Sequence, residues 1–179
     1  MSIQIYILGK LAEGNSYPYK LKKLLSDPIP IDKFTGISES KLYYHFDKLA
    51  DKGYIEVVET IKEENRPDKN VYQITDQGRV ELTKRIYQTF EKAIEMNEMY
   101  IALSYIKHVK VDKVLDILEQ KIEKQRLAWE TYLSFDLEID EQSEAYWSVK
   151  FIQEHAYSRA QHNAEWLKKL IVSIKENAR

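Results

Sequence analysis

"SESKLYYHFDKLADKGYIE", residues 38–56, decides the fold. At about 100° per residue, a helix over this stretch gathers Leu42, Phe46 and Leu49 on one face. Ser40, Lys41, Tyr44 and Lys48 fall on the other, with Tyr43 on the flank. Asp47 is the one carboxylate near the centre of that outward face. Ser38 is placed to cap the helix, and Gly53 to end it. One apolar stripe is enough to dock a helix. The opposite stripe of hydroxyls, ammonium groups and an aromatic ring is either a solvated face or a surface for phosphates and base edges.

The flanking sequence builds a small domain around this helix. "IQIYILGKLAEG" (3–14) spaces Ile3, Ile7 and Leu11 for a helix, with Gly14 as its stop. "NSYPYKLKKLLSD" (15–27) reads as a second short helix. Ser16 is its expected cap, Pro18 suits its first turn, and Leu21, Leu24 and Leu25 face inward. "PIPIDKFTG" (28–36) is a loop by its prolines. After Gly53, "YIEVVET" and "VYQIT" are short β-branched runs, and the polar "KEENRPDKN" between them predicts a hairpin turn. Three short helices followed by a hairpin is the order of a winged helix-turn-helix.

From Thr75 or Asp76 the chain reads as helical, either as one long helix to Ile106 or as two abutting ones. "KHVKVD" (107–112) is the first break and "DLEIDEQS" (136–143) the second. Between them, apolar residues recur at Val114, Leu118, Ile122, Trp129 and Leu133. The last helix aligns Ala145, Val149, Ile152, Ala156, Ala160, Leu167, Leu170 and Ile174. Helices of 25–35 residues are roughly 40–50 Å long, and stripes of that length need a partner surface to match. A second copy of the chain is the economical partner, and a self-contained bundle is the alternative. The expected fold is mostly α. Residues 1–80 form a winged helix-turn-helix with a two-stranded wing, and residues 81–179 a long-helix dimerisation domain.

Composition narrows the function. The 179 residues are 44% hydrophobic and 31% charged, which suits a folded core. There is no cysteine, so disulfides, thiolate nucleophiles and cysteine-bound zinc are excluded. This fits a reducing cytoplasm, the expected location. No apolar run is long enough for a bilayer, and "MSIQIYILGK" lacks a basic leader, so no signal peptide is expected. The net charge of −2 offers no global attraction to nucleic acid. Residues 1–85 carry 14 Lys and Arg against 13 Asp and Glu, so a basic surface there must be local. No catalytic triad or phosphate loop is present, and no enzyme or cofactor is expected. His155 and His162 stand two turns apart, too far to share an ion without help from another helix, so no metal is expected.

Four motifs in order resemble the PadR family of bacterial transcriptional regulators. "ILGKLAEG" (7–14) is similar to the family's opening helix, and "YPYKLKKLL" (17–25) to its next motif. "SESKLYYHFDKLADKGYIE" is similar to its recognition-helix stretch. "RPDKNVYQITDQGRVEL" (66–82) is similar to the wing and the Tyr-x-Leu/Ile-Thr-x-x-Gly after it. Pro18 stands where the family commonly has Gly, and Tyr44 where many members have Pro. The C-terminal half resembles, in layout, the branch with the larger, virulence-activator-like helical domain.

The resemblance implies a homodimeric, ligand- or signal-responsive repressor or activator, expected here as a repressor, on a palindromic double-stranded operator. In a winged helix the third helix enters the major groove. Lys41 and Lys48 would then meet phosphate or guanine, and Ser38 and Ser40 phosphate or bases near the helix N-terminus. Tyr44 and His45 would approach base edges or sugar, and Tyr43 would brace the helix or bind phosphate. Arg66, Lys69 and Asn70 would reach the backbone or minor groove, and Tyr19 is counted with these contacts. A small aromatic or hydrophobic effector is expected beside Trp129, Tyr132, Trp147 or Trp166, core packing being the other use of each ring. The competing function is a winged-helix module that docks another protein and binds no DNA.

Overall fold

The computed structural model describes residues 2–24, 39–62, 68–134 and 142–177. The chain divides into two compact units, Met1–Lys110 and Val111–Arg179. The protein is mostly helical, with a two-stranded antiparallel wing.

Helix α1 (Ser2–Glu13) is the centre of the first unit. Ile3, Ile5, Tyr6, Ile7, Leu8 and Leu11 are all buried, so apolar side chains surround it nearly all the way round. Such a helix needs neighbours on every side. It packs against α3 (Glu39–Asp51), β2 (Lys69–Ile74), α4 (Asp76–Lys92) and α5 (Tyr100–Ser104). Gly9 lets Tyr105 lie flat on α1, because a Cβ there would collide with that ring. The Tyr6 hydroxyl donates to the Leu21 carbonyl at 2.8 Å and ties α1 to α2 (Pro18–Leu24). Burial pushes that phenol far above its ordinary value, which keeps it a donor.

Helices α2 and α3 pack together as the helix-turn-helix pair. Leu42, Phe46 and Leu49 of α3 are buried, as the wheel requires. Gly53 sits at φ 69°. The Tyr54 N–H donates to the Leu49 carbonyl at 3.0 Å, and the Gly53 N–H to the Ala50 carbonyl at 2.8 Å. These are the two bonds of a Schellman end, which satisfies carbonyls the helix leaves open. The chain then enters β1 (Ile55–Ile61), paired with β2 from Ile55 opposite Ile74 to Ile61 opposite Lys69. A bulge falls between Val57 and Glu59.

Thr75 links the wing to the next helix. Its hydroxyl accepts from the Gly78 N–H at 3.1 Å, capping α4, and donates to the Gly53 carbonyl at 2.7 Å. One side chain therefore fixes both the exit from α3 and the start of α4.

Several expectations are revised; Leu24, expected to face inward on α2, is exposed. Ser16 does not cap α2. Its N–H and carbonyl pair with Tyr72 at 3.1 and 2.8 Å, so it adds a one-residue bridge to β2. Strand pairing satisfies two backbone groups at once, and the hydroxyl makes no hydrogen bond. The helical run from Asp76 does not reach Ile106. It stops at Lys92, Ala93 is extended (ψ 133°), and the Ile94 N–H is held by the Glu98 carboxylate at 2.8 Å. Short turns and α5 come next, which bury Ala93, Met99, Ile101, Ala102 and Tyr105; a continued straight helix would carry these residues away from α1. In the second unit Ala145 and Ile152 are exposed, off the buried stripe, and Ala145 precedes the helix.

That unit is an antiparallel pair, α6 (Val111–Ser134) and α7 (Tyr146–Asn177). Glu119 meets Lys175 at 3.0 Å, and the Trp129 and Tyr157 rings stand edge to face at 5.6 Å. Val114, Leu118, Leu167, Ile171 and Ile174 are buried.

Candidate nucleic-acid interface

Because Leu42, Phe46 and Leu49 seat α3 on the core, the other side of the helix turns outward. Ser40, Lys41, Tyr43, Tyr44, Asp47 and Lys48 are exposed. Tyr44 is 57% exposed, a large value for an aromatic side chain on a packed helix. The Lys48 ammonium sits 5.9 Å from the Tyr44 ring centre and 3.6 Å from Asp51. Both contacts are solvent-exposed and weak, so the ammonium is available to an anion at little cost.

His45 is placed differently. Its Nδ1 lies 3.0 Å from Nε2 of Gln4 on α1. Burial lowers its pKa, and surrounding positive charges, Arg85 and Lys41 among them, lower it further. His45 is therefore neutral at pH 7 and accepts from the Gln4 amide. It braces α3 against α1.

Two other elements complete the surface. On α2, Tyr19 is exposed, and the Lys23 ammonium lies 5.0 Å from its ring centre. On the wing, Lys69 lies 5.8 Å from the Tyr17 ring centre, and the Asn70 side-chain Oδ1 accepts from the Thr60 hydroxyl at 3.0 Å. A cleft of about 200 Å³ joins these elements. It brings Tyr19, Tyr43, Lys69 and Asn70 together, four of the residues expected at the interface. Tyr17, Asp47 and Asp68 also line it. Sequence reasoning did not count them, although Asp47 had stood out as the carboxylate on the helix face. Tyr17 and Asp68 carried no signal, because their part depends on the wing folding back over α2. Ser38 and Arg66 lie outside the described residues.

Among the described residues, the tryptophans considered for an effector differ in exposure and in place along the helices. Trp129 is half-buried against Tyr157, whereas Trp147 and Trp166 are 73% and 46% exposed. Nineteen residues separate the latter two on α7, about 28 Å of helix. Tyr132 lies in α6, and its side chain is outside the described residues. Trp147, Phe151, His155, His162 and Trp166 instead recur at helical spacing along α7. Phe151 stacks on His155 with ring centres 6.4 Å apart, and His162 meets Trp166 at 6.2 Å. Among the described residues, no cluster of His, Asp and Glu could hold a metal ion, and no helix is long and apolar enough to cross a membrane.

Residues 7–84 match the profile of the transcriptional regulator PadR-like family. No curated protein matches the chain. Among solved structures, the chain is similar to Bacillus subtilis PadR in complex with operator DNA, at 19% identity and TM-score 0.44. That match covers 97% of this chain and 99% of the other. A transcriptional regulator from Clostridium thermocellum matches at 29% identity over 48% of this chain and 79% of its own, with TM-score 0.39. Bacillus subtilis PadR in complex with p-coumaric acid matches at 18% identity, with TM-score 0.39, over 98% of this chain and 99% of the other.

Proposed function

We propose that this chain, which carries a PadR-like transcriptional regulator domain over residues 7–84, is a sequence-specific DNA-binding repressor. It acts in the cytoplasm as a homodimer, with one recognition helix in each half-site of a palindromic operator. The observation that carries this reading is the outward face of α3. Ser40, Lys41, Tyr44 and Lys48 are exposed together on a helix seated by three buried apolar residues. Lys41 and Lys48 meet phosphate or guanine, Tyr44 the groove floor, and the wing residues Lys69 and Asn70 the neighbouring backbone.

In this reading residues 1–80 bind DNA, and residues 81–179 serve dimerisation and effector response. Support for dimerisation comes from α7. Trp147, Phe151 and Ile152 are each more than 60% exposed, an apolar surface of the kind that marks a protein contact. A small aromatic or hydrophobic effector lodged among the tryptophans of the paired helices would change the spacing of the recognition helices. A hundredfold preference for one spacing corresponds to about 2.7 kcal/mol.

Selection of bound genomic DNA by the purified protein tests the reading. Two half-sites in inverted repeat are expected, with affinity falling steeply as salt rises. Sedimentation should give a dimer at micromolar concentration, and tryptophan fluorescence should track effector binding and DNA release together. The near-neutral charge of the first half, with Asp47 and Asp68 in the cleft, favours a second reading, a winged-helix module that docks a protein. Salt-insensitive capture of a protein with no enrichment of DNA would select it.

A further inference from the structure

Asp47 is costly where it stands. It stands four residues before Asp51, a like charge on the same face of α3. Among the described residues no cation pairs with it; Lys48 pairs with Asp51 instead. An exposed carboxylate beside a like charge, with no ion pair of its own among the described residues, is a local conflict of the kind that functional positions carry.

Its direction supports this. At about 100° per residue, Asp47 points within roughly 50° of straight outward, on the Tyr43 side of the face. Lys41 and Lys48 occupy the other side. The outward face is thus divided, cationic on one flank and anionic on the flank beside the cleft. Phosphate is attracted to the first flank of α3 and repelled by Asp47 on the second, where Lys69 across the cleft is the cation for the backbone, so Asp47 is suited to a hydrogen-bond donor on a base.

A carboxylate only accepts hydrogen bonds. The major groove offers two donors, the N4 amino group of cytosine and the N6 amino group of adenine. Adenine carries its N7 acceptor beside N6, and that lone pair repels the second carboxylate oxygen. Cytosine has no acceptor beside its amino group, and guanine and thymine present acceptors where the donor is needed. We propose that Asp47 is a specificity-determining residue whose carboxylate accepts a hydrogen bond from the N4 amino group of a cytosine in each half-site. The inference rests on the operator-binding reading above.

Selection from randomised duplex DNA with the full chain, Asp47→Ala and Asp47→Asn tests it. The wild-type chain should enrich a cytosine at one position of each half-site. Both variants should lose that preference at that position alone, by roughly 5- to 150-fold, the range for one base contact, while the rest of the motif stays. Asp47→Ala should also bind unrelated DNA more tightly, because a repelling charge is gone. If both variants select the wild-type motif unchanged, Asp47 reads no base and the inference is overturned. If the wild-type chain itself enriches no motif, the operator reading falls, and the role of Asp47 with it.

Discussion

Replacing Gly53 by alanine isolates one device that joins α3 to the wing. At φ 69° the residue is in the left-handed region, where an L side chain costs about 1–2 kcal/mol. The space itself is free. A Cβ on Gly53 would meet only the Gln77 side-chain oxygen, at 3.6 Å, an ordinary contact. The whole cost is therefore backbone strain, set against the Schellman bonds from Gly53 to Ala50 and from Tyr54 to Leu49. Gly53→Ala should lower stability by about 1–2 kcal/mol, which is roughly 4–8 °C of Tm per kcal/mol for a domain of 60–100 residues. Gly53→Asn should lose less, because asparagine tolerates this conformation better. Gly78→Ala makes the contrast. A Cβ there would fall on the Tyr54 carbonyl oxygen, which belongs to the backbone and cannot swing aside, so α4 must move. Its cost should exceed that of Gly53→Ala. Urea unfolding of the three variants, monitored by circular dichroism, measures the differences. A Gly53→Ala chain as stable as wild type, or more damaged than Gly78→Ala, would refute the reasoning.

The same geometry sets other outcomes. Lys41→Ala and Lys48→Ala should weaken operator binding without loss of fold, each reducing the salt slope by about 1 where the contact is to phosphate; gel shifts at three salt concentrations measure this. Trp147→Ala combined with Phe151→Ala removes exposed rings from α7, so sedimentation should show monomer while unfolding of the single chain changes little. Stability should decline as pH falls below about 6.5, the ordinary value for histidine. His45 and His108 are both held below that value, mainly by burial, so the unfolded chain takes up protons that the folded chain resists. His45→Gln should flatten the decline, and a decline of unchanged steepness would mean that His45 does not drive it.

Much of the first unit was legible in the chain because its signals are local. The stripe Leu42, Phe46 and Leu49 orients α3 without reference to anything else, and Gly53 stops it by a backbone preference that acts within a few residues. The hairpin was legible from β-branched runs around a polar turn. The outward position of Ser40, Lys41, Tyr44 and Lys48 comes from the same periodicity, since whatever opposes a buried stripe faces away from the core. His45 was not placed by the wheel, because its role depends on Gln4, 41 residues away.

Three features required the tertiary structure for the same reason. Ser16 was expected as a cap from its neighbours, but it pairs with Tyr72, which lies beyond α3 and the first strand. The helical pattern after Asp76 was continuous in composition, yet the chain breaks at Ala93 because Met99, Ile101 and Tyr105 bury only if it turns back. The cleft takes residues from α2, α3 and the wing, and no window of sequence contains all three. Periodicity reports which face of an element is apolar. Which elements meet across that face is settled by long-range packing, where burial of side chains far apart in the chain outweighs the preferences of any one segment.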